Sequence, residues 1–338
     1  MKKNAIAAVA IAMALIVLAA ILAQVLAARK AKEREPFSII VLPDTQKYSR
    51  QHPEIFVEQT KWIKEQRDAF NIACVIHEGD ITDHHTEKEW EVADEAMGIL
   101  DGIVPYAMVL GNHDLGPEGT LFNKYFGPER FENEPWYGGH FEDGNENAFY
   151  LIRAGGMDFL ILCLEFGPRD EVLEWANTLV AEHKHRRIIV VTHCYMYSDD
   201  TRVGEGDEWN PHGYGRENDG EEMWQKFVKK HKNIFLVLSG HILNDGLGRL
   251  TSTGDKENKV HQILANYQMQ ENGGNGWLRI MTFLPTENKI DITTYSPVLK
   301  EYASDDQNQF QVEYSMGRGG FFDCRSTGRT CQETAALF

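Results

Sequence analysis

The 338-residue sequence is poor in cysteine and in basic residues, and it lacks several common catalytic motifs. No Cys-x-x-Cys pair occurs, which argues against a zinc ribbon, and Cys74, Cys163 and Cys194 lie in apolar runs where we expect them to be buried. The absence of a Gly-x-Ser-x-Gly turn and of a P-loop leaves serine hydrolases and nucleoside triphosphatases without support. Lys and Arg number 34 against 51 Asp and Glu, a net charge of −17. We therefore expect no non-specific nucleic-acid binding, because such a chain repels phosphate backbones.

One long apolar run extends from Ala5 to Ala27 and is interrupted by a single glutamine. A helix of this length spans about 35 Å, enough for a bilayer core of about 30 Å. Residues 1–35 are therefore predicted to be an N-terminal transmembrane helix that anchors the protein by a single pass, and a cleaved signal segment is the alternative. Basic residues at both ends of the run slightly favour a cytoplasm-facing body. Cys324 and Cys331 could close a disulfide in an exported body, and we expect an extracytoplasmic body, with secretion as a further alternative.

The remaining sequence alternates short β-branched runs with amphipathic helical patterns. After residue 245 strands follow one another directly, which predicts two packed sheets flanked by helices. Residues 36–300 are expected to form one α/β domain, and residues 301–338 a C-terminal tail. The long stretches 127–147 and 198–219 are either lids over a site or ordinary surface insertions. Helical patterns cover residues 54–69, 87–100, 171–183 and 221–230.

Several predicted strands end in polar residues of the kinds that bind metals. These residues are Asp44, Gln46, Asp80, Asp83, Asn112, His113, His193 and His241. Ligands bind beyond the carboxyl ends of the strands in open α/β sheets, so we expect these side chains to meet at one edge. Carboxylate, amide and imidazole groups are ligands of first-row divalent metals. The sequence therefore predicts a metal centre.

The order and spacing of these motifs resemble those of the calcineurin-like metallophosphoesterases. The matching stretches are Asp44-x-Gln46, Gly79-Asp80-x-x-Asp83, Gly111-Asn112-His113-Asp114, His193 and Gly240-His241. The resemblance covers about residues 37–297, and the sequence Leu-Pro-Asp-Thr-Gln is similar to that of a bacterial-type subgroup of the family. It implies a four-layer α/β/β/α sandwich and an enzyme that hydrolyses a phosphomonoester or phosphodiester with metal-activated water.

The same resemblance implies a role for each motif residue. Asp80 would bridge two metal ions. One ion would be completed by Asn112, His193 and His241, and the other by Asp44 and Gln46. His113 would protonate the leaving alcohol, and Asp83 would orient and polarise His113.

Two departures from the family pattern affect the same ion. Gln46 stands where many relatives have histidine, and Leu243 stands where a second histidine usually closes the Gly-His-x-His motif. Leucine cannot bind a metal, and glutamine offers only a neutral amide oxygen. We therefore expect one tight site for Mn, Fe or Zn and one weak, harder site for Mn or Mg. Further candidates near the weak site are Asn244, Asp245 and the stretch Asn266-Tyr267-Gln268.

The substrate is expected to be a small phosphate ester, with His84, His85, Tyr48 and Arg202 as candidate contacts. Two alternative functions stay open from the sequence. The first is a phosphodiesterase that acts on lipid headgroups or cyclic nucleotides at a membrane. The second is a catalytically dead, membrane-tethered binding protein, against which the intact pair of Asp83 and His113 argues.

Overall fold

The structure, a computed structural model, describes residues 13, 15–25, 35–116 and 120–317. Residues 15–25 form a helix with exposed side chains, and the other residues of the predicted anchor lie almost entirely outside the described ranges. Within those ranges no helix is both long enough and apolar enough to cross a bilayer. Cys324 and Cys331 also lie outside the described residues. The anchor and the disulfide therefore stay predictions.

The body combines strands and helices in the alternating order that the sequence predicted. The strands are β1 (Phe37–Leu42), β2 (Ile72–His77), β3 (Tyr106–Met108), β4 (Tyr137–His140), β5 (Ala148–Ala154), β6 (Met157–Leu164), β7 (Arg187–Thr192), β8 (Ile234–Ser239), β9 (Leu247–Thr253), β10 (Lys259–Ala265), β11 (Leu278–Leu284), β12 (Lys289–Ser296), β13 (Glu301–Ala303) and β14 (Gln309–Glu313). The α-helices are α1 (Gln46–Gln51), α2 (Pro53–Gln66), α3 (Glu87–Gly98), α4 (Phe122–Phe126), α5 (Pro128–Phe131), α6 (Asp170–Glu182) and α7 (Gly220–Lys226).

The strands form two seven-stranded sheets. The first has the order β13-β12-β11-β1-β2-β3, with β14 also pairing with β12, and the second has the order β4-β5-β6-β7-β8-β10-β9. Strands β1, β2 and β3 are parallel, and so are β6, β7, β8 and β10. The carboxyl ends of the parallel strands therefore share one edge of each sheet, and the loops that leave these ends carry the motif residues.

Successive side chains of a strand point to opposite faces of its sheet and so belong to different apolar layers. Ile39 of β1 and Ile161 of β6 belong to the apolar core between the two sheets. On the opposite face of β1, Ile40 packs with Phe56 of α2. Leu162 of β6 packs with α6 and α7 on the outer face of the second sheet. The layers are thus helices, sheet, sheet and helices, and the predicted α/β fold with two helix-flanked sheets is confirmed.

Local signals explain where the predicted helices begin. Helix α2 starts with Pro53, whose fixed φ suits a first helical position. Helix α3 starts with a capping box, in which the Thr86 side chain accepts from the Glu89 N–H and the Glu89 carboxylate accepts from the Thr86 N–H.

The three cysteines predicted to be buried, Cys74, Cys163 and Cys194, are buried and free.

The first sheet extends beyond residue 300, where the sequence analysis ended the domain. Strands β13 and β14 both pair with β12, so the sheet continues to Glu313. Their short sequences, Glu-Tyr-Ala and Gln-Phe-Gln-Val-Glu, are mostly exposed or half-buried. Strand β13 has only three residues, too few for a periodic pattern, whereas β14 alternates polar residues with Phe310 and Val312, which pack against the core between the sheets.

We predict that the aromatic cluster between the sheets is a main source of stability. The Phe283 ring lies 4.7 Å from that of Phe37, 5.7 Å from that of Phe159 and 6.4 Å from that of Phe235. Replacement Phe283→Ala should lower the free energy of unfolding by about 3–5 kcal/mol, because it removes a fully buried ring and leaves a cavity. Urea denaturation followed by circular dichroism measures this change. The control Tyr302→Ala, at a side chain that is 51% exposed, should change it by less than about 1 kcal/mol, and equal losses in both variants would contradict the prediction.

Candidate metal centre

The loops after five parallel strands bring the motif residues together at one edge of the sandwich. Asp80, His193 and His241 are buried, and one potential ligand atom of each lies within 4.8 Å of the others. Asp44 joins them through the backbone N–H of His241, which donates to Asp44 Oδ2 at 3.2 Å. Residues from β1, β2, β7 and β8 thus converge although they are far apart in the chain.

Two glycines make this convergence sterically feasible. A Cβ at Gly111 would lie 2.0 Å from Asp80 Oδ1, and a Cβ at Gly240 would lie 2.1 Å from Asp44 Oδ1. The carboxylates therefore sit directly against the backbone of a neighbouring motif. Asp80 and His241 also adopt positive φ values of 48° and 72°, a left-handed conformation that is uncommon for residues other than glycine.

Backbone carbonyl groups determine which imidazole nitrogens keep a free lone pair. His193 Nδ1 donates to the Glu78 carbonyl oxygen at 2.8 Å, which leaves Nε2 as the lone-pair nitrogen. That Nε2 lies 3.2 Å from Asp80 Oδ1 without hydrogen-bond alignment. His241 Nε2 donates to the Trp209 carbonyl oxygen at 2.8 Å, which leaves Nδ1 free. Both rings are therefore oriented as metal ligands are, by a hydrogen bond on the other nitrogen.

Four buried ligand atoms have no hydrogen-bond partner among the described residues. They are Asp44 Oδ1, Gln46 Oε1, Asn112 Oδ1 and His193 Nε2. An unpaired buried polar atom costs about 1–3 kcal/mol, so four of them in one group require a common explanation. All four are lone-pair donors of the types that bind divalent cations. These residues therefore fit the divalent metals that the motif residues imply.

The electrostatics of the site also favour a cation. Burial raises the pKa of Asp44 to about 8, with a further contribution from the nearby charge of Asp80. Burial by itself lowers the pKa of His193, but the carboxylates of Asp80 and Asp44 raise it to about 10. The metal-free site thus favours a proton on Asp44 and on His193, whereas burial lowers the pKa of His241 to about 3. A divalent cation can replace those protons, because it binds carboxylate and neutral imidazole.

Asp114 connects two of the ligand-bearing loops. Its carboxylate accepts from the N–H groups of Ile81, Thr82 and Gly111 at 3.1, 2.7 and 2.9 Å, and from the Thr82 hydroxyl at 2.9 Å. Asp114 is fully buried and has no free acceptor directed at the metal site. It therefore holds the loop that carries Asp80 against the loop that follows β3.

The carboxylate of Asp83 does not orient His113 in the way that the sequence suggested. His113 Nδ1 donates to the main-chain carbonyl oxygen of Asp83 at 2.8 Å and lies 3.6 Å from its Oδ1. The carboxylate instead accepts from Lys47 Nζ at 3.1 Å and from Arg50 Nη1 at 2.6 Å. Burial raises the pKa of Asp83, but these two hydrogen bonds bring it below its usual value. Sequence reasoning missed both cations because it did not predict helix α1, which carries them.

Two of the four candidate substrate contacts are wrong. Tyr48 is buried, and its hydroxyl accepts from the Gly276 N–H at 3.0 Å, so it belongs to the core behind α1. Arg202 donates to the carboxylate of Glu221 at 2.6 Å and lies over the Trp224 ring at 4.6 Å. Its guanidinium is therefore occupied by a structural contact. A lone Tyr or Arg in a sequence gives no indication of such partners.

The other candidates lie nearer to the centre. His84 is exposed, with Nδ1 at 3.3 Å from Asp83 Oδ2, and His85 is half-buried, so both stay predicted substrate contacts. Asn244 donates to the Ser198 hydroxyl of another loop, and Asp245 accepts from the Leu247 N–H within its own loop, so both side chains already have partners.

The long stretch 198–219 packs against the metal centre, which favours its interpretation as a lid. Its Trp209 supplies the carbonyl that orients His241. The Tyr214 ring lies 5.7 Å from that of His241 and 5.4 Å from that of Phe166. Phe166 and Arg216 line a cavity of about 700 Å³, and the Phe166 ring lies 5.8 Å from that of His193 and 5.0 Å from that of His241. Sequence reasoning missed Tyr214 and Arg216 because a loop has no periodic pattern that marks which residues face a site.

A helix-flanked double sheet with a buried group of carboxylate, amide and imidazole side chains at its strand ends defines an α/β protein with a candidate centre for divalent metals. The family model "Calcineurin-like phosphoesterase" matches residues 37–245. The chain therefore belongs to the calcineurin-like phosphoesterase family.

Two curated relatives are similar over part of their length. The chain is 33% identical over 294 residues to the uncharacterized protein YvnB of Bacillus subtilis (strain 168), which is 84% of this chain and 22% of that protein. It is 28% identical over 124 residues to the probable glycerophosphodiester phosphodiesterase GpdQ of Arcobacter nitrofigilis, which is 35% of this chain and 40% of that protein. The chain thus spans less than half the length of either relative.

A solved structure shares the fold. The purple acid phosphatase PPD1 from yellow lupin (Lupinus luteus) seeds superimposes with a TM-score of 0.51 at 12% identity, over 89% of this chain and 57% of that chain. At this identity the similarity shows the shared architecture alone.

We predict that divalent metal stabilises the protein through Asp80. Adding Mn²⁺ to metal-free protein should raise the melting temperature, because an ion at one hundred times its dissociation constant contributes about 2.7 kcal/mol. Differential scanning fluorimetry measures the shift. The variant Asp80→Asn should lose most of it, and the control Asp158→Asn, at a half-exposed carboxylate of β6, should keep it. Equal shifts in wild type and Asp80→Asn would show that the ion binds elsewhere.

Proposed function

We propose that the protein hydrolyses a small phosphodiester with the help of two divalent ions, and that His113 delivers the proton to the leaving alcohol. The observation that carries this proposal is the group of four buried, unpartnered ligand atoms beside a half-exposed His113. A metal site without an adjacent proton donor would suit binding alone. A metal site with such a donor suits ester hydrolysis.

Asp80 would contribute to both proposed sites. The tight site would use Asn112, His193 and His241, and the weak site would use Asp44 and Gln46. When bound, divalent ions neutralise phosphate charge and activate water as a nucleophile. The chain itself holds the ligand atoms in place and keeps bulk water away, because the side chains of Asp44, Asp80, His193 and His241 are buried.

His113 is held in the orientation that an acid catalyst needs. Its Nδ1–H donates to the Asp83 carbonyl oxygen at 2.8 Å, and its backbone N–H donates to Asp80 Oδ1 at 3.0 Å. The first bond leaves Nε2 as the nitrogen that carries a mobile proton. The side chain is 39% exposed, so a leaving alcohol can reach it. An imidazole suits this role because it exchanges protons near neutral pH.

The cavity next to the imidazoles supports a diester over a monoester, because it offers space for a second substituent on the phosphate. Its lining includes the aromatic rings of Phe141 and Phe166, the polar groups of Asn147 and Arg216, and four carboxylates that can accept hydrogen bonds from hydroxyl groups, those of Glu142, Asp143, Glu146 and Glu165. A small hydroxylated substituent fits this mixture. The similarity to a relative named as a probable glycerophosphodiester phosphodiesterase points in the same direction. The net charge of −17 supports a small ester over a nucleic acid.

We predict that His113→Ala lowers kcat by about 10²–10⁴-fold while the protein still binds metal, because only proton transfer is lost. The assay measures hydrolysis of bis-p-nitrophenyl phosphate and glycerophosphodiesters in Mn²⁺, with p-nitrophenyl phosphate as the monoester comparison. His185→Ala, which removes an exposed histidine, is the matched control. If wild type turned over none of these esters in Mn²⁺, Mg²⁺ or Zn²⁺, the proposal would fail and a binding protein would become the better interpretation.

We predict that Arg216 contacts the substrate. Among the described residues nothing forms a hydrogen bond or ion pair with its guanidinium, whereas Arg169 in the same cavity contacts Glu142 and Glu165. Arg216→Ala should therefore raise KM about 10–150-fold with little change in kcat, since a charged hydrogen bond contributes about 1.5–3 kcal/mol. Steady-state kinetics measure both parameters, and the exposed Arg153→Ala is the control. An unchanged KM would contradict the assignment.

A further inference from the structure

The weak metal site has a neighbour that belongs to none of the sequence motifs. Gln268 lies in the loop after β10 and is buried, with 6% of its surface exposed. Its side-chain Nε2 donates to Asp44 Oδ2 at 3.3 Å. The contact joins residues 224 positions apart in the chain. Gln268 belongs to the stretch that the sequence analysis placed among the further candidates, but the sequence did not indicate its partner.

The two oxygens of Asp44 have different surroundings. Oδ2 accepts from the His241 backbone N–H at 3.2 Å and from Gln268 Nε2 at 3.3 Å. Oδ1 has no hydrogen-bond partner among the described residues, although it is buried. The two donors therefore hold one oxygen and leave the other as the single oxygen available to a cation.

Gln268 is itself held in place. Its backbone N–H donates to Asn266 Oδ1 at 3.0 Å, and the Asn266 N–H donates to the Gly246 carbonyl oxygen at 2.7 Å. A Cβ at Gly246 would lie 1.8 Å from the Asn266 carbonyl oxygen, so the two loops are in close contact. Leu243, which stands in the place of the second family histidine, lines a separate cavity of about 460 Å³ with Asn266 and Tyr267.

We infer that Gln268 is a positioning residue for the weak metal site, which it serves by fixing Asp44 so that Oδ1 alone faces the ion. The inference rests on the two-ion arrangement of the proposed function. In that arrangement the weak site lacks the second histidine, and its affinity depends on how well the remaining ligands are oriented. Residues that orient a metal ligand typically change metal affinity by about 10–100-fold when they are replaced. Gln268 has this relation to Asp44.

The experiment titrates metal-free protein with Mn²⁺ by isothermal titration calorimetry and follows bound Mn²⁺ by electron paramagnetic resonance. The variant is Gln268→Met, which keeps the length of the side chain and removes the N–H donor. Wild type should show one tight and one weak binding event. In the variant, the dissociation constant of the weak event should rise about 10–100-fold, and that of the tight event should stay unchanged. Activity at saturating Mn²⁺ should return to near the wild-type value.

The matched control is Gln270→Ala, which removes an exposed amide from the same loop and should alter neither event. A melting curve of each metal-free variant shows whether the fold is retained. Two unchanged events in Gln268→Met would overturn the inference and leave the proposed function intact. Parallel weakening of both events would also overturn it, since that result indicates a general structural role. A single event in wild type would refute the two-ion arrangement itself, and the inference with it.

Discussion

The centre of this protein depends on a cluster of buried lone pairs that a cation can satisfy. Asp44 Oδ1, Gln46 Oε1, Asn112 Oδ1 and His193 Nε2 are removed from water without hydrogen-bond partners among the described residues. Such an arrangement is unfavourable by several kcal/mol unless an ion completes it. The stability of the sandwich outside the site, from the apolar layers on both sides of each sheet, compensates for this local cost. The absence of a Cβ at Gly111 and Gly240 leaves room for the carboxylates of Asp80 and Asp44 in this cluster.

The region around His113 shows how the main chain and the side chains of one motif can have separate roles. The Asp83 carbonyl orients the imidazole, while the Asp83 carboxylate binds Lys47 and Arg50 of α1. This carboxylate therefore links the loop after β2 to the helix that follows the first metal-binding motif. The positive charges of Lys47 and Arg50 balance the charge of this carboxylate, which therefore influences the His113 imidazole less than an isolated carboxylate would. Helix α1 thus connects the surroundings of His113 with Gln46 of the proposed weak metal site.

The two proposed sites differ because their ligands differ. His193 and His241 are both oriented by backbone carbonyls, which makes their lone-pair nitrogens strong and well-placed donors. The weak site has a carboxylate and an amide, and it lacks the second histidine of the family pattern. An oxygen-rich site of this kind favours hard ions such as Mg²⁺ or Mn²⁺. Orientation of Asp44 by donors outside the motif is then the remaining means of strengthening it.

The sequence by itself determined the layers of the fold and the identity of most ligands. Consecutive apolar residues such as Ile39 and Ile40 specify a strand that is covered on both faces. Motifs that follow successive parallel strands lie at the same edge of the sheet. Only the tertiary structure decided which atoms of these residues contact one another and which are left without a protein partner. Whether Asp83 acts through its carbonyl, whether Tyr48 and Arg202 are free, and whether Gln268 reaches Asp44 all depend on contacts between distant segments. Local periodicity carries no information about such contacts, because they arise when loops from different strands pack together.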